Sequence, residues 1–247
     1  MNHKENTAMT AGASCASYDI VYFVKNAPHN EELRYSLRSV EKNFPHKSIW
    51  IFGFCPYEFN PDHIVNVEQL QPTKWQNTRL LMERACKTDE LTESFWLFND
   101  DFFIMQPHES LPPYYTGELQ DHIARIESRH GGRITEYTRQ LRRLVRTLRH
   151  DGLGTKNYAL HKPMLINRAK MLETLAKYPQ EPMLRALYGN HHNIGGVQMH
   201  DCKTALGARP GIKDEAIIST DDYAFAQTEV GTYIKQAFPE RSRFEVD

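Results

Sequence analysis

The sequence has little cysteine, no long apolar run and no excess of charge of either sign. Its four cysteines form no C-x-x-C pair, which disfavours a disulfide scaffold or a zinc ribbon and favours a reduced, cytoplasmic protein. No segment is long and apolar enough to suggest a transmembrane helix. Lysine plus arginine (30) nearly balance aspartate plus glutamate (31). The net charge therefore predicts no nucleic-acid or membrane partner, although a local basic patch can still serve one.

The start of the chain, MNHKENTAMTAGASCAS, contains no apolar stretch of the kind found in signal peptides. We therefore expect residues 1–17 to be a disordered lead. Residues 18–247 are long enough to bury a substantial core, and we expect them to form a single domain.

Strand and helix signals alternate over the first hundred residues. Strands are expected at 19–24, 48–54, 63–69 and 95–98, and helices at 31–43, with Asn30 as its cap, and at 78–87. This alternation predicts an α/β fold whose mainly parallel sheet is flanked by helices. A helical insertion is expected at about 115–152, and a further helix at 168–177. From Pro179 onward, frequent glycine, histidine and proline suggest irregular loops.

The insertion contains an amphipathic helix with arginines at 139, 142, 143, 146 and 149. Such a face is most often simply solvated. It can also bind an anionic acceptor, a membrane surface or nucleic acid.

Two adjacent carboxylates interrupt the most apolar stretch, ESFWLFNDDFFIM (Glu93 to Met105). Unpaired charge inside such a run costs several kcal/mol or more, so we expect either a nearby positive charge or a strand end that faces a cleft. Ligands bind outside the carboxyl ends of strands in open α/β sheets, and Asn99, Asp100 and Asp101 follow such a strand. Paired carboxylates beside an amide favour Mg²⁺ or Mn²⁺ and a substrate phosphate. The alternative is a structural pair, with one carboxylate in a turn and the other bound to lysine or arginine.

Arg34 and Arg38 lie four residues apart on one face of the first predicted helix. Such a pair can bind phosphate or anchor an acidic residue through bidentate contacts. Two solvated arginines are the plainer alternative.

The segments ELRYSLRSVEKNFP (Glu32 to Pro45) and FWLFNDDFF (Phe95 to Phe103) together resemble the second conserved region of the Stealth proteins. These are bacterial capsule-type and eukaryotic lysosomal-tagging enzymes that transfer sugar 1-phosphates from nucleotide sugars. DIVYFV, from Asp19, is similar to their first region, although VKNAPHN here replaces the usual Trp-Val-Asp/Asn-Gly turn. NYALHKPMLINR (Asn157 to Arg168) is similar to the third region, with its His-x-Pro element.

The resemblance implies a nucleotide-sugar transferase fold of the GT-A kind, in which an acidic element holds a metal on the donor diphosphate. Asp100 and Asp101 would hold Mg²⁺ or Mn²⁺ beside Asn99, with Asp101 as the foremost ligand. Asp19 would lie near the nucleotide base or ribose, or else cap the edge of the core. His161 would ligate the metal or act as the base on an acceptor hydroxyl, or else be structural.

Two later clusters are further candidates. In STDD, Asp221 or Asp222 would be a catalytic base or second metal contact, with an N-cap favoured for Asp221. GNHHNIGGVQMHD (Gly189 to Asp201) fits no common zinc motif, and we interpret it as a flexible substrate loop whose glycines permit a lid.

Together with the resemblance, these patterns favour a metal-dependent transferase that moves a sugar or sugar 1-phosphate from a nucleotide sugar to a hydroxyl acceptor. Arg34 and Arg38 would lie near the donor phosphates, and Asn99 would also bind the donor. One alternative is a metal-dependent hydrolase that uses the histidine-rich segment and Asp101. The other is a non-enzymatic module that binds a sugar nucleotide or nucleic acid through the arginine helix.

Overall fold

The computed structural model describes residues 13–204 and 211–246. Within them the chain forms twelve strands and eight α-helices. The strands are β1 (Ala13–Ser14), β2 (Asp19–Val24), β3 (Ile49–Gly53), β4 (His63–Asn66), β5 (Ser94–Phe98), β6 (Phe102–Ile104), β7 (Ser110–Leu111), β8 (Tyr114–Tyr115), β9 (Met164–Asn167), β10 (Val197–Gln198), β11 (Lys203–Thr204) and β12 (Ile217–Thr220). The helices are α1 (Glu31–Asn43), α2 (Lys74–Cys86), α3 (Leu119–Arg129), α4 (Glu136–His150), α5 (Arg168–Lys177), α6 (Leu184–His191), α7 (Asp222–Gln227) and α8 (Glu229–Ala237).

The central sheet has five strands in the order β4-β3-β2-β5-β9, and only β9 runs antiparallel to its neighbour. Both faces of the inner strands β2, β3 and β5 are buried, as expected where helices cover a parallel sheet. Ile20, Tyr22 and Val24 of β2 pack in the same cluster as the apolar stripe of α1. Val21 points the other way, into a cluster with residues of α2 and α5. The expected α/β fold with a mainly parallel sheet is confirmed.

A second, three-stranded sheet in the order β11-β12-β6 extends from the turn that follows β5. Strand β12 is antiparallel to β6, with Ser219 opposite Phe102, and parallel to β11, with Ser219 opposite Lys203. The carboxyl end of β12 therefore lies beside the amino end of β6, next to the Asn99–Asp101 turn.

The expected helical insertion is confirmed as α3 and α4, which pack with α6 in one apolar cluster. Thr135 begins α4 with a capping box, since its Oγ1 accepts a hydrogen bond from Thr138 N and Thr138 Oγ1 accepts one from Thr135 N.

Helix α6 lies where irregular loop was expected. Its Gly189 and Asn190 are poor helix formers, but tertiary contacts override that preference. A Cβ on Gly189 would lie 2.4 Å from the Tyr158 ring, and the Asn190 side chain donates hydrogen bonds to the carbonyls of Lys156 and Ala186. Helix α2 also begins four residues earlier than expected, because Thr73 caps it by accepting a hydrogen bond from Gln76 N.

The expectation of disorder through residue 17 is wrong for residues 13–17, while residues 1–12 lie outside the described part of the chain. Strand β1 pairs with β7, and Cys15 is fully buried in the main core. Pairing with a strand about a hundred residues away leaves no local sequence signal. Among the described residues, no helix is both long and apolar enough to cross a membrane.

We predict that Gly231→Ala will lower the free energy of unfolding by about 2 kcal/mol or more, because α8 contacts α7 through backbone at this point. An ideal Cβ on Gly231 would lie only 1.7 Å from the Phe225 carbonyl oxygen. Urea unfolding measures the change, with Gln236→Ala, an exposed position of the same helix, as the control. Equal stability of the two variants would show that the helices do not meet this closely.

Candidate functional site

Two acidic pairs that lie about 120 residues apart in the sequence meet at one end of the molecule. Asp100 and Asp101 follow β5, whereas Asp221 and Asp222 follow β12. Because β12 is antiparallel to β6 and β6 immediately follows the Asn99–Asp101 turn, both pairs reach the same edge. The carboxyl end of β2 and the amino end of α1 lie there as well.

These elements enclose a cleft of about 540 Å³, which we call the acidic cleft. Its charged lining includes Lys25, Glu31, Glu32, Asp100, Asp101, Lys203, Asp221 and Asp222. The carboxylates outnumber the cations, and the amino end of α1, whose dipole favours negative charge, points toward them.

Asp100 is tied to the first turn of α1 through Asn30. Asn30 Nδ2 donates a hydrogen bond of 2.7 Å to Asp100 Oδ2, and Asn30 Oδ1 accepts one from Leu33 N, as the expected cap of α1. Burial raises the pKa of Asp100, and the charge of Asp101 raises it further, while the bond from Asn30 opposes both. The side chain of Asn99 does not line the cleft, and its carbonyl accepts a hydrogen bond from Phe102 N in the turn.

Asp101 is buried and paired with a lysine. Lys203 Nζ contacts Asp101 Oδ2 at 2.5 Å, and Ser219 Oγ donates to the same oxygen at 2.7 Å. The ammonium of Lys203 also donates to the Thr220 carbonyl. The two alternatives expected for carboxylates inside an apolar run occur together here: β5 ends at a cleft, and a positive charge lies beside Asp101.

Glu32 is a cleft carboxylate that the sequence analysis did not single out. Its Oε1 accepts a hydrogen bond of 2.7 Å from Thr220 Oγ1. Burial raises the pKa of Glu32 to about 7, with the charges of Asp101, Asp100 and Asp222 adding to the effect. The carboxylates of Asp100, Asp101 and Asp222 thus repel the carboxylate of Glu32 within this cleft.

Asp221 and Asp222 differ in their roles. Asp221 Oδ1 accepts a hydrogen bond of 2.8 Å from Ala224 N and caps α7, as the sequence analysis favoured. Asp222 is the first residue of α7 and lines the acidic cleft.

A second cavity of about 810 Å³, the His161 cavity, shares Lys203 with the acidic cleft. It is lined by Lys74, His122, Arg125, Arg129, His161, Asp201 and Lys203, among others. His161 Nδ1 lies 2.8 Å from Asp201 Oδ2, and His161 N donates to Asp201 Oδ1. Burial alone would raise the pKa of Asp201, but the hydrogen bonds and charge of His161 lower it to about 2. The Asp201 carboxylate therefore accepts from Nδ1–H, which leaves Nε2 as the basic nitrogen.

Asp19 and the two helix arginines lie outside the acidic cleft. Asp19 begins β2, at the opposite end of the parallel sheet, where Asp19 Oδ2 accepts a hydrogen bond of 2.8 Å from Thr92 N. This matches the capping alternative.

Arg34 and Arg38 anchor an acidic residue, which was one of the expected alternatives. Arg38 contacts both carboxylate oxygens of Glu245 at 2.7 and 2.8 Å, and Arg34 contacts Glu245 at 2.7 Å and Glu58 at 3.1 Å. The Glu245 side chain is fully buried. Burial opposes its ionisation, but these contacts lower the pKa of Glu245 to about 2.

The arginines of α4 are largely neutralised. Arg139 pairs with Glu136, Arg142 with Glu127, and Arg143 with Glu181.

The segment from Gly189 to Asp201 is not a single flexible loop, since its first residues belong to α6. His191, His192 and Glu173 each offer one ligand atom within 4.8 Å of the others. This group lies apart from the linings of both cavities.

Sequence reasoning missed Glu32, Lys203 and Asp201 as members of one site. Glu32 lies in the first turn of α1, the helix that follows β2. This position near the carboxyl end of a parallel strand was the sequence signal that it could belong to a site. Lys203 is brought to Asp101 by the pairing of β11 with β12 and of β12 with β6. Because β11 has only two residues, the sequence contains no alternating pattern that would predict this pairing.

Among the described residues, no three carboxylates of the acidic cleft have ligand atoms that all lie within 4.8 Å of one another, so the cleft offers the ligand chemistry for a divalent cation but not a closed ligand set. Asp100, Glu32 and Asp222 supply hard oxygen ligands of the type that Mg²⁺ and Mn²⁺ prefer. Burial raises the pKa values of Glu32 and Asp100, and the charges of neighbouring carboxylates add to the effect. A comparison with known protein families and with curated protein sequences found no match to this chain.

We predict that Glu32→Gln will alter how thermal stability depends on pH. Because folding raises the pKa of Glu32 from 4.5 to about 7, its ionisation costs stability as pH rises between those values. The melting temperature of the wild type should therefore fall relative to the variant between pH 5 and pH 8. Glu31→Gln, a neighbouring exposed change, is the control. Parallel curves for wild type and Glu32→Gln would contradict this.

We predict that Arg38→Ala will lower the free energy of unfolding by about 3 kcal/mol, because it removes the main partner of a buried carboxylate. Arg243→Ala, which breaks an exposed pair with Asp62, should cost less than about 1 kcal/mol. Since the pKa of Glu245 is about 2, its stabilisation is present at neutral pH and is lost as pH falls below about 4.5. Denaturant unfolding at pH 7 and pH 3 measures both effects. Equal losses for the two arginine variants would refute the anchoring role.

Proposed function

We propose that the protein is a metal-dependent transferase that moves a sugar or a sugar 1-phosphate from a nucleotide-sugar donor to a hydroxyl acceptor. The observation that carries the proposal is the meeting of Glu32, Asp100, Asp101 and Asp222 in one cleft at the carboxyl end of a mainly parallel sheet. Open α/β sheets bind ligands at this edge. The resemblance of residues 32–45 and 95–103 to the Stealth proteins supports a nucleotide sugar as the donor.

Asp100 and Asp101 would hold Mg²⁺ or Mn²⁺, with Glu32 and Asp222 adding negative charge. The cation, when bound, offsets the charge that develops on the leaving nucleotide. Since Lys203 and Ser219 already bind Asp101 Oδ2, Asp100 and Glu32 are the freer carboxylates of the set. Lys203, which lines both cavities, would contact a transferred phosphoryl group.

His161 would act as the base on the acceptor hydroxyl. Its Nδ1 is oriented by Asp201 at 2.8 Å, and Nε2 would accept the hydroxyl proton as the oxygen attacks. In sugar 1-phosphate transfer the oxygen bonds to the β-phosphorus, the phosphoanhydride breaks and a nucleoside monophosphate leaves. In glycosyl transfer it bonds to the anomeric carbon and a nucleoside diphosphate leaves. The free thiols of all four cysteines support a reducing, cytoplasmic setting.

Calorimetric titration with UDP, CDP, GDP and ADP, with and without Mn²⁺, tests the proposal. We expect one nucleotide to bind in a Mn²⁺-dependent manner and Asp100→Asn or Asp101→Asn to weaken that binding at least tenfold. Asp214→Asn, a change outside the lining of the cleft, should leave it intact. Binding of no nucleotide, or undiminished binding by both variants, would overturn the proposal. Metal-dependent turnover without an acceptor would favour a hydrolase instead.

A further inference from the structure

The face of α3 that borders the His161 cavity is basic. His122, Arg125 and Arg129 lie at positions i, i+3 and i+7 of the helix, so they share one side. All three line the cavity, together with Lys74 and Lys203. A single helical face thus brings two guanidinium groups and an imidazole to the cavity that contains His161.

Among the described residues, Arg125 and Arg129 differ from Arg139, Arg142 and Arg143 of α4 in having no carboxylate partner. Neither side chain forms an ion pair or a hydrogen bond with any residue in the described ranges 13–204 and 211–246. Arg142 and Arg143, by contrast, pair with Glu127 and Glu181.

The cavity offers these arginines little negative charge of its own. Asp201 is the one carboxylate among the described residues of its lining, and it is engaged by His161. Burial lowers the pKa of His122, and the charge of Arg125 lowers it further. The cavity wall therefore carries a local excess of positive charge, although the whole chain has a net charge of −1.

We propose that Arg125 and Arg129 bind a phosphate monoester or phosphodiester group of the acceptor and so hold its hydroxyl near His161. This inference rests on the proposed transferase function. The guanidinium fork matches phosphate oxygens in a bidentate manner. The donor diphosphate has a separate place in the acidic cleft, where a divalent cation balances it. The two clefts therefore select opposite partners: a cation in one and an anion in the other.

The test uses glycerol 3-phosphate as the probe and uncharged glycerol as its control, followed through the NMR signals of the histidine rings. We expect glycerol 3-phosphate, and not glycerol, to shift the signals of His122 and His161 in a saturable manner. The double variant Arg125→Gln/Arg129→Gln should raise the dissociation constant for glycerol 3-phosphate at least tenfold. The matched control is Arg146→Gln/Arg149→Gln, which changes two exposed arginines of α4 that do not line the His161 cavity.

A second measurement distinguishes an acceptor site from a donor site: the Mn²⁺-dependent binding of nucleoside diphosphates to the Arg125→Gln/Arg129→Gln variant. Unchanged nucleotide binding supports an acceptor site, whereas a parallel loss would show that the arginines bind the donor diphosphate and would overturn the inference. Absence of probe binding to the wild type, or an equal loss in the control variant, would overturn it too. If the probe binds through the two arginines but the wild type binds no nucleotide, the transferase proposal fails while the anion site stands.

Discussion

The ion pair between Lys203 and Asp101 is the contact on which the candidate site depends. A buried carboxylate needs a partner, since an unpaired one costs several kcal/mol, and Lys203 provides it while also contacting the Thr220 carbonyl. The pair joins β11 and β12 to the turn after β5, and it fixes the wall between the acidic cleft and the His161 cavity. Glu32 and Asp100 have raised pKa values because they are buried, with the charges of neighbouring carboxylates adding to the effect. In the proposed function, a divalent cation would offset the negative charge of the cleft carboxylates.

The sequence was most informative where the determinants are local. Helices α1 and α5 have the predicted bounds, because caps and periodic apolar positions lie within each segment. The N-D-D turn and Asp222 were recognisable as strand-end carboxylates. The three-stranded sheet was not predicted, because β11 and β12 are short and β12 pairs with β6, more than a hundred residues away in the sequence. Helix α6 was missed because buried contacts of Gly189 and Asn190 outweigh their poor helix propensity.

Arginine roles depended on partners that no spacing rule reveals. Arg34 and Arg38 have the spacing of a phosphate-binding pair, yet both contact Glu245, some two hundred residues later. The conspicuous arginines of α4 are largely paired with glutamates, whereas Arg125 and Arg129 of α3 face a cavity with little negative charge. Residue identity predicts that an arginine will bind an anion. Only the fold tells whether that anion belongs to the protein or to a ligand.

The central claim is that the acidic cleft holds a divalent cation. Anomalous diffraction from crystals grown with Mn²⁺ and a nucleoside diphosphate tests it most directly, because the ion is located without reference to activity. We predict an anomalous peak within coordinating distance of Asp100, beside Glu32 and Asp101. A peak at Glu173, His191 and His192 alone, or no peak in the cleft at saturating Mn²⁺, would contradict it.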